Sequence, residues 1–372
     1  MTRPDEAAWR VMVDRSHMGR RASGIERITE TQFSPAALAP LQVGAMQASG
    51  RRAAMVGTQM LLNPALALTQ PAVPWIFPGY PPSPVFGLLR QRTVLYVHDL
   101  FLLTRPQDLN MAARLYMAQP FRRAITSLRY FLVNSATTRA QLAPHVAGDA
   151  EIRLYRPHVS NVFGLRRRPS VEQAETQAPL IVGAVGTIEP RKNFGAAAEV
   201  CRMLAEVIGR PVELHIIGRA GWGEDATALA QMPHVRLHGF LPDEEARAVI
   251  GRFDLFLCTS HDEGLGLPLL EMQYASLPVI APDAAVFREV LSGSGLYFDP
   301  RAPQDAVTTI AALLQRPGWR AQAAASARAN ITRWNTQADA DRASVVAFLS
   351  DLCARLAGVE DRTPRRQTVR RR

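Results

Sequence analysis

Short apolar runs alternate with amphipathic stretches along most of the sequence. Near-continuous apolar runs separated by helices are typical of parallel strands that helices cover on both faces. Ligands of such α/β folds bind at the carboxyl ends of the strands. The helical candidates lie at 110–127, 193–208, 243–252 and 320–330. The strand candidates are WRVMVD (9–14), TVLYVH (93–98), RYFLVN (129–134), PLIVGAVG (179–186), VELHIIG (212–218), VRLHGF (235–240), DLFLCTS (254–260) and PVIAP (278–282).

The chain is long enough for two α/β domains, since 372 residues exceed what one hydrophobic core usually organises. The polar, charged segment GLRRRPSVEQAETQAP (164–179) indicates an interdomain linker. We therefore expect domains over 1–168 and 178–335. A terminal helix over 336–358 should pack back on the first domain, and a basic, disordered tail over 359–372 should follow.

Composition excludes several classes of protein. The chain is 47% hydrophobic and 20% charged, which is typical of a globular protein rather than a disordered one. No apolar run reaches the ~18 residues that a membrane helix needs. Asp5 and Glu6 stand where a signal peptide would be apolar. The widely spaced Cys201, Cys258 and Cys353 indicate reduced thiols, and we expect a cytoplasmic protein.

The last eleven residues, RTPRRQTVRRR, hold six arginines and no acidic residue, in a chain of formal charge +10. A solvated, disordered end is one interpretation of this tail. An anionic membrane surface on the cytoplasmic side is another, because each basic residue near such a surface contributes about 1 kcal/mol. Nucleic acid is the weakest interpretation, since the tail has no aromatic residue on which bases would stack.

Two strand ends in the second half carry residues suited to a phosphate. Lys192 is the single lysine among 43 basic residues, and with Arg191 it follows the strand that ends at GTIEPRKN (186–193). Lysine offers a compact charge to one phosphate oxygen, whereas arginine offers a fork. The pattern therefore predicts an anion contact here, with a solvated helix start as the alternative.

The segment HDEGLGLPLLE follows the strand DLFLCTS and opens a helix. Gly264 and Gly266 allow a ligand to approach the backbone, and a helix start attracts anions. Glu263 should lie at the mouth of the cleft. Glu271, about one turn into the helix, should accept hydrogen bonds from hydroxyls such as a ribose diol. The alternative is an ordinary glycine-containing turn with two surface acids.

The first half contains weaker signals. His98 and Asp99 follow a strand in YVHDLF, although a single histidine in such a place is more often structural. In ASGIERI (22–28), Gly24 could let backbone N–H groups face a diphosphate.

Together, EGLGLPLLE followed by PVI, GTIEPRKN and HDL resemble the retaining glycosyltransferases of family GT4. The resemblance is specific over 180–300 and looser over 1–170. It implies the GT-B fold, in which two Rossmann-like parallel-sheet domains face a central cleft. Four features depart from the family pattern: Thr187 stands where many members have arginine, the paired glycines after the first strand are reduced to Gly24, Leu265 replaces a common phenylalanine, and Ser276 replaces a helix-ending glycine.

The resemblance also implies roles for individual residues. Glu263 is similar to the glutamate that contacts the donor sugar near its reacting carbon, and Glu271 to the one that binds the ribose. Lys192, with Arg191, resembles the diphosphate clamp, and His98 the histidine that approaches the transferred sugar. Further substrate contacts are implied for the backbone at Gly24, Gly264, Gly266 and Leu267.

The resemblance implies transfer of a hexose, with retention, from a nucleotide diphosphate sugar to a saccharide or lipid-linked saccharide acceptor. Such an activity belongs to surface polysaccharide biosynthesis, and the EPRKN form favours mannose or a deoxyhexose from a GDP-sugar. No cofactor and no metal are expected, because the one D-x-D pair, Asp339 and Asp341, falls on different faces of a predicted helix. The alternatives are an epimerase or hydrolase of nucleotide sugars, or a basic membrane- or nucleic-acid-binding protein with a degenerate site.

Overall fold

A computed structural model describes most of the chain, and it leaves out the predicted basic tail and most of the predicted linker. The described residues are 9–19, 24–49, 51–105, 117–166 and 178–358, apart from the side chain of Arg52.

The first sheet has six parallel strands in the order β2-β1-β3-β4-β5-β6. They are β1 Arg10–Asp14, β2 Gln42–Met46, β3 Trp75–Phe77, β4 Thr93–Val97, β5 Tyr130–Val133 and β6 Glu151–Leu154.

The second sheet also has six parallel strands, in the order β12-β11-β10-β7-β8-β9. They are β7 Leu180–Val185, β8 Val212–Ile217, β9 Val235–Gly239, β10 Leu255–Leu257, β11 Val279–Pro282 and β12 Gly295–Phe298. Two parallel sheets covered by helices confirm the predicted α/β class and its two Rossmann-like halves.

Helices connect the strands and cover both faces of each sheet. In the first half they are α1 Gly24–Gln32, α2 Arg52–Gly57, α3 Asn63–Thr69, α4 Val85–Leu88, α5 Phe101–Thr104, α6 Ala118–Ser127 and α7 Ala136–Leu142, with a π-helical turn at Thr58–Leu62 between α2 and α3. In the second half they are α8 Phe194–Ile208, α9 Asp225–Ala230, α10 Asp243–Ile250, α11 Leu267–Met272, α12 Ala285–Leu291, α13 Pro303–Leu314 and α14 Trp319–Leu356.

The predicted strands lie within one to three residues of the observed ones, but four strands have no counterpart in the prediction. These are β2, β3, β6 and β12. The residues of β6 are only half-buried, those of β2 are half-buried or exposed, and β3 has three residues, so none of them shows a long apolar run. The helical candidate at 320–330 is part of α14, which continues without a break to Leu356.

The long helix α14 packs on both domains. Trp334 is buried in the apolar cluster of the second sheet. Val345, Phe348 and Leu349 are buried with Val11 in a cluster on one face of the first sheet. About half of the chain's length, from Leu154 to Val345, therefore separates the first domain's last strand from the helical turns that complete its core.

The chain crosses between the domains beside this helix. The Trp334 indole donates to the Pro157 carbonyl, with Nε1 2.9 Å from the oxygen. Asn335 accepts from the Val159 amide at 2.9 Å and donates to its carbonyl at 2.9 Å. These bonds fix the helix to the crossing segment. Within the described ranges, no helix is long and apolar enough to span a membrane.

Candidate functional site

The turn between β10 and α11 has a backbone that only glycine adopts readily. Gly266 has φ +81°, and a Cβ built there would lie 2.7 Å from Leu269 Cδ1. This left-handed turn lets α11 begin directly after it, with Pro268 in the first turn, where its missing N–H costs nothing. The partly buried Leu267 packs on the apolar clusters of both domains, so α11 starts at the domain interface.

Glu263 lies at the centre of a buried cluster of charged groups. Lys192 Nζ lies 2.5 Å from Oε1, and Arg191 Nη1 lies 2.9 Å from Oε2. Ser260 Oγ also donates to Oε1, at 2.8 Å. Burial by itself would raise the pKa of Glu263, but the attraction of Lys192 and Arg191 outweighs it and lowers this pKa to about 2. The carboxylate is therefore ionised throughout the physiological range.

Arg191 connects this cluster to the first domain. Its Nη2 pairs with Glu189 at 2.7 Å, and its guanidinium stacks on the Phe101 ring of α5, 4.6 Å from the centroid. Burial would lower the pKa of Arg191, but the neighbouring Glu263 and Glu189 raise it above its ordinary value. The guanidinium group of Arg191 contacts two carboxylates and an aromatic ring, so these contacts fix the position of its positive charge.

The stem of Lys192 runs over a glycine. A Cβ at Gly186, whose φ is +147°, would lie 3.2 Å from Lys192 Cε. The space at Gly218, directly after the neighbouring strand β8, is smaller still. A Cβ there would lie 1.8 Å from the Gly186 carbonyl oxygen. Gly186 therefore leaves room for the lysine stem, and Gly218 leaves room for the backbone of Gly186.

His98 meets the glycine turn through its backbone. A Cβ at Gly264 would lie 2.1 Å from the His98 carbonyl oxygen, which also accepts from Asn134 Nδ2 at 2.7 Å. Gly264 is therefore required where the domains touch. His98 Nε2 lies 2.6 Å from the Pro78 carbonyl oxygen, and burial lowers the pKa of this imidazole to about 4, so the ring is neutral at pH 7. Burial also raises the pKa of the adjacent Asp99 to about 6.

Glu271 does not join the cluster around Glu263. Its Oε1 pairs with Arg27 Nη2 at 2.6 Å, across the cleft from α1, the helix that Gly24 begins. Burial raises the pKa of Glu271, and the nearby Arg27 only partly offsets this. The structure thus brings the helix of Gly24 against the residue expected to bind a ribose.

Several residues that the sequence analysis passed over complete the interface. Ser135 Oγ and Thr138 Oγ1 each donate to the Gly264 carbonyl at 3.2 Å. Arg27 is also new, and its place one turn after Gly24 in GIERI was the available signal. The expected substrate contacts of Gly24, Gly264, Gly266 and Leu267 stay predictions.

The acids of the D-x-D pair have other partners. Both aspartates lie on α14. Asp341 pairs with Arg156 at 2.7 Å, and Asp339 pairs with Arg342 of the same helix at 3.6 Å. Among the residues that the structure describes, no group of three or more histidine, cysteine, aspartate or glutamate side chains is placed to hold a metal ion.

Residues 167–330 match the family described as "Glycosyl transferases group 1". This part of the chain is a group 1 glycosyltransferase domain. It contains Glu263, Lys192, Arg191 and Glu271, whereas His98 and Gly24 lie in the preceding domain. The cluster around Glu263 is therefore internal to the matched domain, whereas the pair of Glu271 with Arg27 reaches outside it.

Relatives of the group 1 glycosyltransferase domain include two proteins of Escherichia coli. The serotype-specific mannosyltransferase WbdA is 33% identical over 127 residues, which are 32% of this chain and 16% of WbdA. The O-antigen chain mannosyltransferase B is 24% identical over 242 residues, 62% of this chain and 63% of that protein. The chain thus spans less than two thirds of the length of either relative.

The fold is similar to that of HepE from Anabaena, a structure in complex with UDP and glucose. The TM-score is 0.64 at 15% identity, and the match covers 90% of this chain and all of HepE. This likeness extends over both domains and concerns the fold.

Proposed function

We propose that the protein is a retaining glycosyltransferase of family GT4 that moves a hexose from a nucleotide diphosphate sugar to a saccharide or lipid-linked saccharide. The convergence of Lys192 and Arg191 on Glu263, beside the start of α11, carries this proposal. The two cations are balanced by two carboxylates, Glu263 and Glu189, while no ligand is bound. A diphosphate that enters here competes with Glu263 for the two cations.

The chemistry follows from the charges of these groups. As the bond to the diphosphate breaks, negative charge grows on the leaving oxygens, and Lys192 and Arg191 stabilise it. The acceptor's proton passes to a phosphate oxygen of the donor itself. Glu263, with a pKa of about 2, serves as a fixed anion near the reacting carbon rather than as a proton donor. No metal is required for these steps.

His98 and Glu271 position the donor in this proposal. The His98 imidazole is neutral at pH 7, since burial lowers its pKa to about 4, so it exchanges hydrogen bonds with sugar hydroxyls without adding charge. Glu271 accepts hydrogen bonds from the ribose diol after Arg27 has moved away.

The proposed donor is GDP-mannose or a GDP-deoxyhexose, and the proposed pathway makes a surface polysaccharide. The EPRKN motif supports this assignment, as do the two mannosyltransferase relatives, one of them named for the O-antigen chain. The acceptors are membrane-linked in such pathways, so we place the protein at the cytoplasmic membrane face. There the arginines of 359–372 would meet anionic lipids.

A thermal-shift panel followed by product analysis tests the proposal. GDP and GDP-mannose should stabilise the fold more than UDP and UDP-glucose do. A ligand at a hundredfold excess over its Kd raises the free energy of unfolding by about 2.7 kcal/mol relative to the free protein. Transfer to an acceptor should then give the α-anomeric product by NMR. Donor consumption without an acceptor product would instead indicate an epimerase or hydrolase, and stabilisation by none of these nucleotides would overturn the proposal.

A further inference from the structure

The first turn of α7 lies against the loop that carries Glu263. Ser135 and Thr138 are buried there, with exposures of 0% and 1%. Their hydroxyl oxygens each lie 3.2 Å from the carbonyl oxygen of Gly264, which belongs to the other domain. A buried hydroxyl needs a hydrogen-bond partner, and both hydroxyls find one in the residue directly after Glu263.

The two hydroxyls differ in what else they do. Ser135 Oγ accepts from the Thr138 amide at 3.0 Å and so caps α7. Thr138 lies inside the helix, and its hydroxyl is 2.9 Å from Ser135 Oγ. The helix therefore needs the Ser135 side chain for its own first turn, whereas the bond from Thr138 to Gly264 serves the contact between the domains.

The backbone of Gly264 is enclosed by the first domain on another side as well. A Cβ at Gly264 would lie 2.1 Å from the His98 carbonyl oxygen, which accepts from Asn134 Nδ2 at 2.7 Å. A peptide group is planar, so a fixed Gly264 carbonyl also fixes the orientation of the peptide group that joins it to Leu265. The first domain thus holds the chain directly after Glu263.

The carboxylate of Glu263 is held by its own domain instead. Its partners there are Lys192, Arg191 and Ser260. In the proposed function the donor diphosphate takes the two cations, which leaves Ser260 alone of these three. The position of Glu263 then depends more strongly on the backbone contact at Gly264.

We propose that Thr138, supported by Ser135, is a positioning residue for Glu263. Through the Gly264 carbonyl it holds the loop of Glu263 in place while the donor occupies Lys192 and Arg191. A side chain of the first domain would thereby set the geometry of a group in the second. The inference rests on the proposed function, because it requires Glu263 to lie near the reacting carbon of the donor.

Thr138→Val tests this role, since it removes the hydroxyl and keeps the branched shape of the side chain. It should lower kcat about tenfold, because a small displacement from the productive geometry is costly. The donor Kd from isothermal titration should stay within about twofold of the wild-type value, since the loss falls on the transition state. Thr138→Ser, which restores the hydroxyl, should recover the wild-type kcat.

The matched control is Thr137→Val, on the same turn of α7. The Thr137 hydroxyl also reaches the second domain, but it donates to Glu289 Oε2 at 2.8 Å. This variant therefore removes one hydrogen bond between the domains and leaves the contact at Gly264 unchanged. Its kcat should equal that of the wild type.

Three results would overturn the positioning role. Thr138→Val and Thr137→Val could lose kcat equally, which would mean that α7 only holds the domains together. Thr138→Val could turn over like the wild type, or its loss could be confined to donor affinity. A wild-type protein that binds nucleotides and transfers no sugar would instead overturn the proposed function, and this inference with it.

Discussion

Arg27 and Glu271 form an ion pair that joins the two domains across the cleft, with 2.6 Å between Nη2 and Oε1. The two partners are unequal, because the arginine side chain is 37% exposed and the glutamate 5%. Arg27 can return to water at little cost, whereas Glu271 would be left as an unpaired buried charge. Hydroxyl donors of a bound ribose are suited to replace the arginine.

We expect Arg27→Gln to tighten nucleotide binding several-fold, because the pair that competes for Glu271 is removed. Isothermal titration with the nucleotide that gives the largest thermal shift measures this. Arg202→Gln, which removes an exposed arginine of α8 far from the cleft motifs, should leave the affinity unchanged. Weaker binding of Arg27→Gln would mean that Arg27 itself contacts the donor.

Lys192→Arg should lower kcat by about 10², and Lys192→Ala by more, because a compact ammonium stabilises the leaving diphosphate. The loss should appear in kcat rather than in donor affinity, as charge on the leaving group grows toward the transition state. Wild-type turnover by both variants would leave Lys192 with no role beyond its ion pair with Glu263.

Sequence reasoning located the cluster around Glu263 because its members follow two strands of one parallel sheet. Lys192 and Glu263 are 71 positions apart, yet the rule for strand ends brings them together. No such rule pairs Arg27 with Glu271, which belong to different domains. The helices between Val56 and Leu68 were missed for another reason: Thr58, Gln59 and Asn63 are buried while neighbouring leucines are exposed, so the usual amphipathic pattern is reversed.

Glu289 caps a helix of the other domain, and its removal should destabilise the protein. Its carboxylate accepts from the Ala136 and Thr137 amides of α7 at 2.6 and 2.8 Å. Glu289→Ala should lower the free energy of unfolding by about 1–3 kcal/mol, measured by chemical denaturation. Asp283→Ala breaks the exposed pair with Arg288 and should change nothing measurable. Equal free energies of unfolding for the two variants would show that the contact of Glu289 with α7 does not stabilise the protein.

Acidification should destabilise the fold through two buried histidines. Burial lowers the pKa of His17 and of His98 from 6.5 to about 4. Between these values the unfolded chain binds more protons than the folded one, so stability falls as pH drops from about 6.5 to 4, by up to about 1.4 kcal/mol per pH unit for each histidine.

The variant His17→Gln should show a flatter dependence of unfolding free energy on pH over this window. Comparison with the wild type cancels the contributions of buried acids such as Asp14, which both proteins share. His145→Gln, a change at a more exposed histidine, serves as the control. Parallel pH profiles for His17→Gln and the wild type would contradict the assigned shift.

Removal of divalent metal should leave the reaction intact. We expect EDTA to change the rate of sugar transfer by no more than the experimental error, because Lys192 and Arg191 supply the positive charge that the leaving diphosphate needs. Initial rates with EDTA, and with EDTA followed by excess Mg²⁺ or Mn²⁺, decide the matter. A rate restored only by a metal would rule out the metal-independent mechanism.

The helix α14 makes the first domain the last to be finished during synthesis. Strand β1 emerges from the ribosome first, yet Val345, Phe348 and Leu349 of its apolar cluster are translated more than 330 residues later. The whole glycosyltransferase domain is made, and can fold, in the interval. Until then the part of this sheet face that α14 covers stays exposed, beside Ile28, Phe33 and Leu38, which pack in the same cluster.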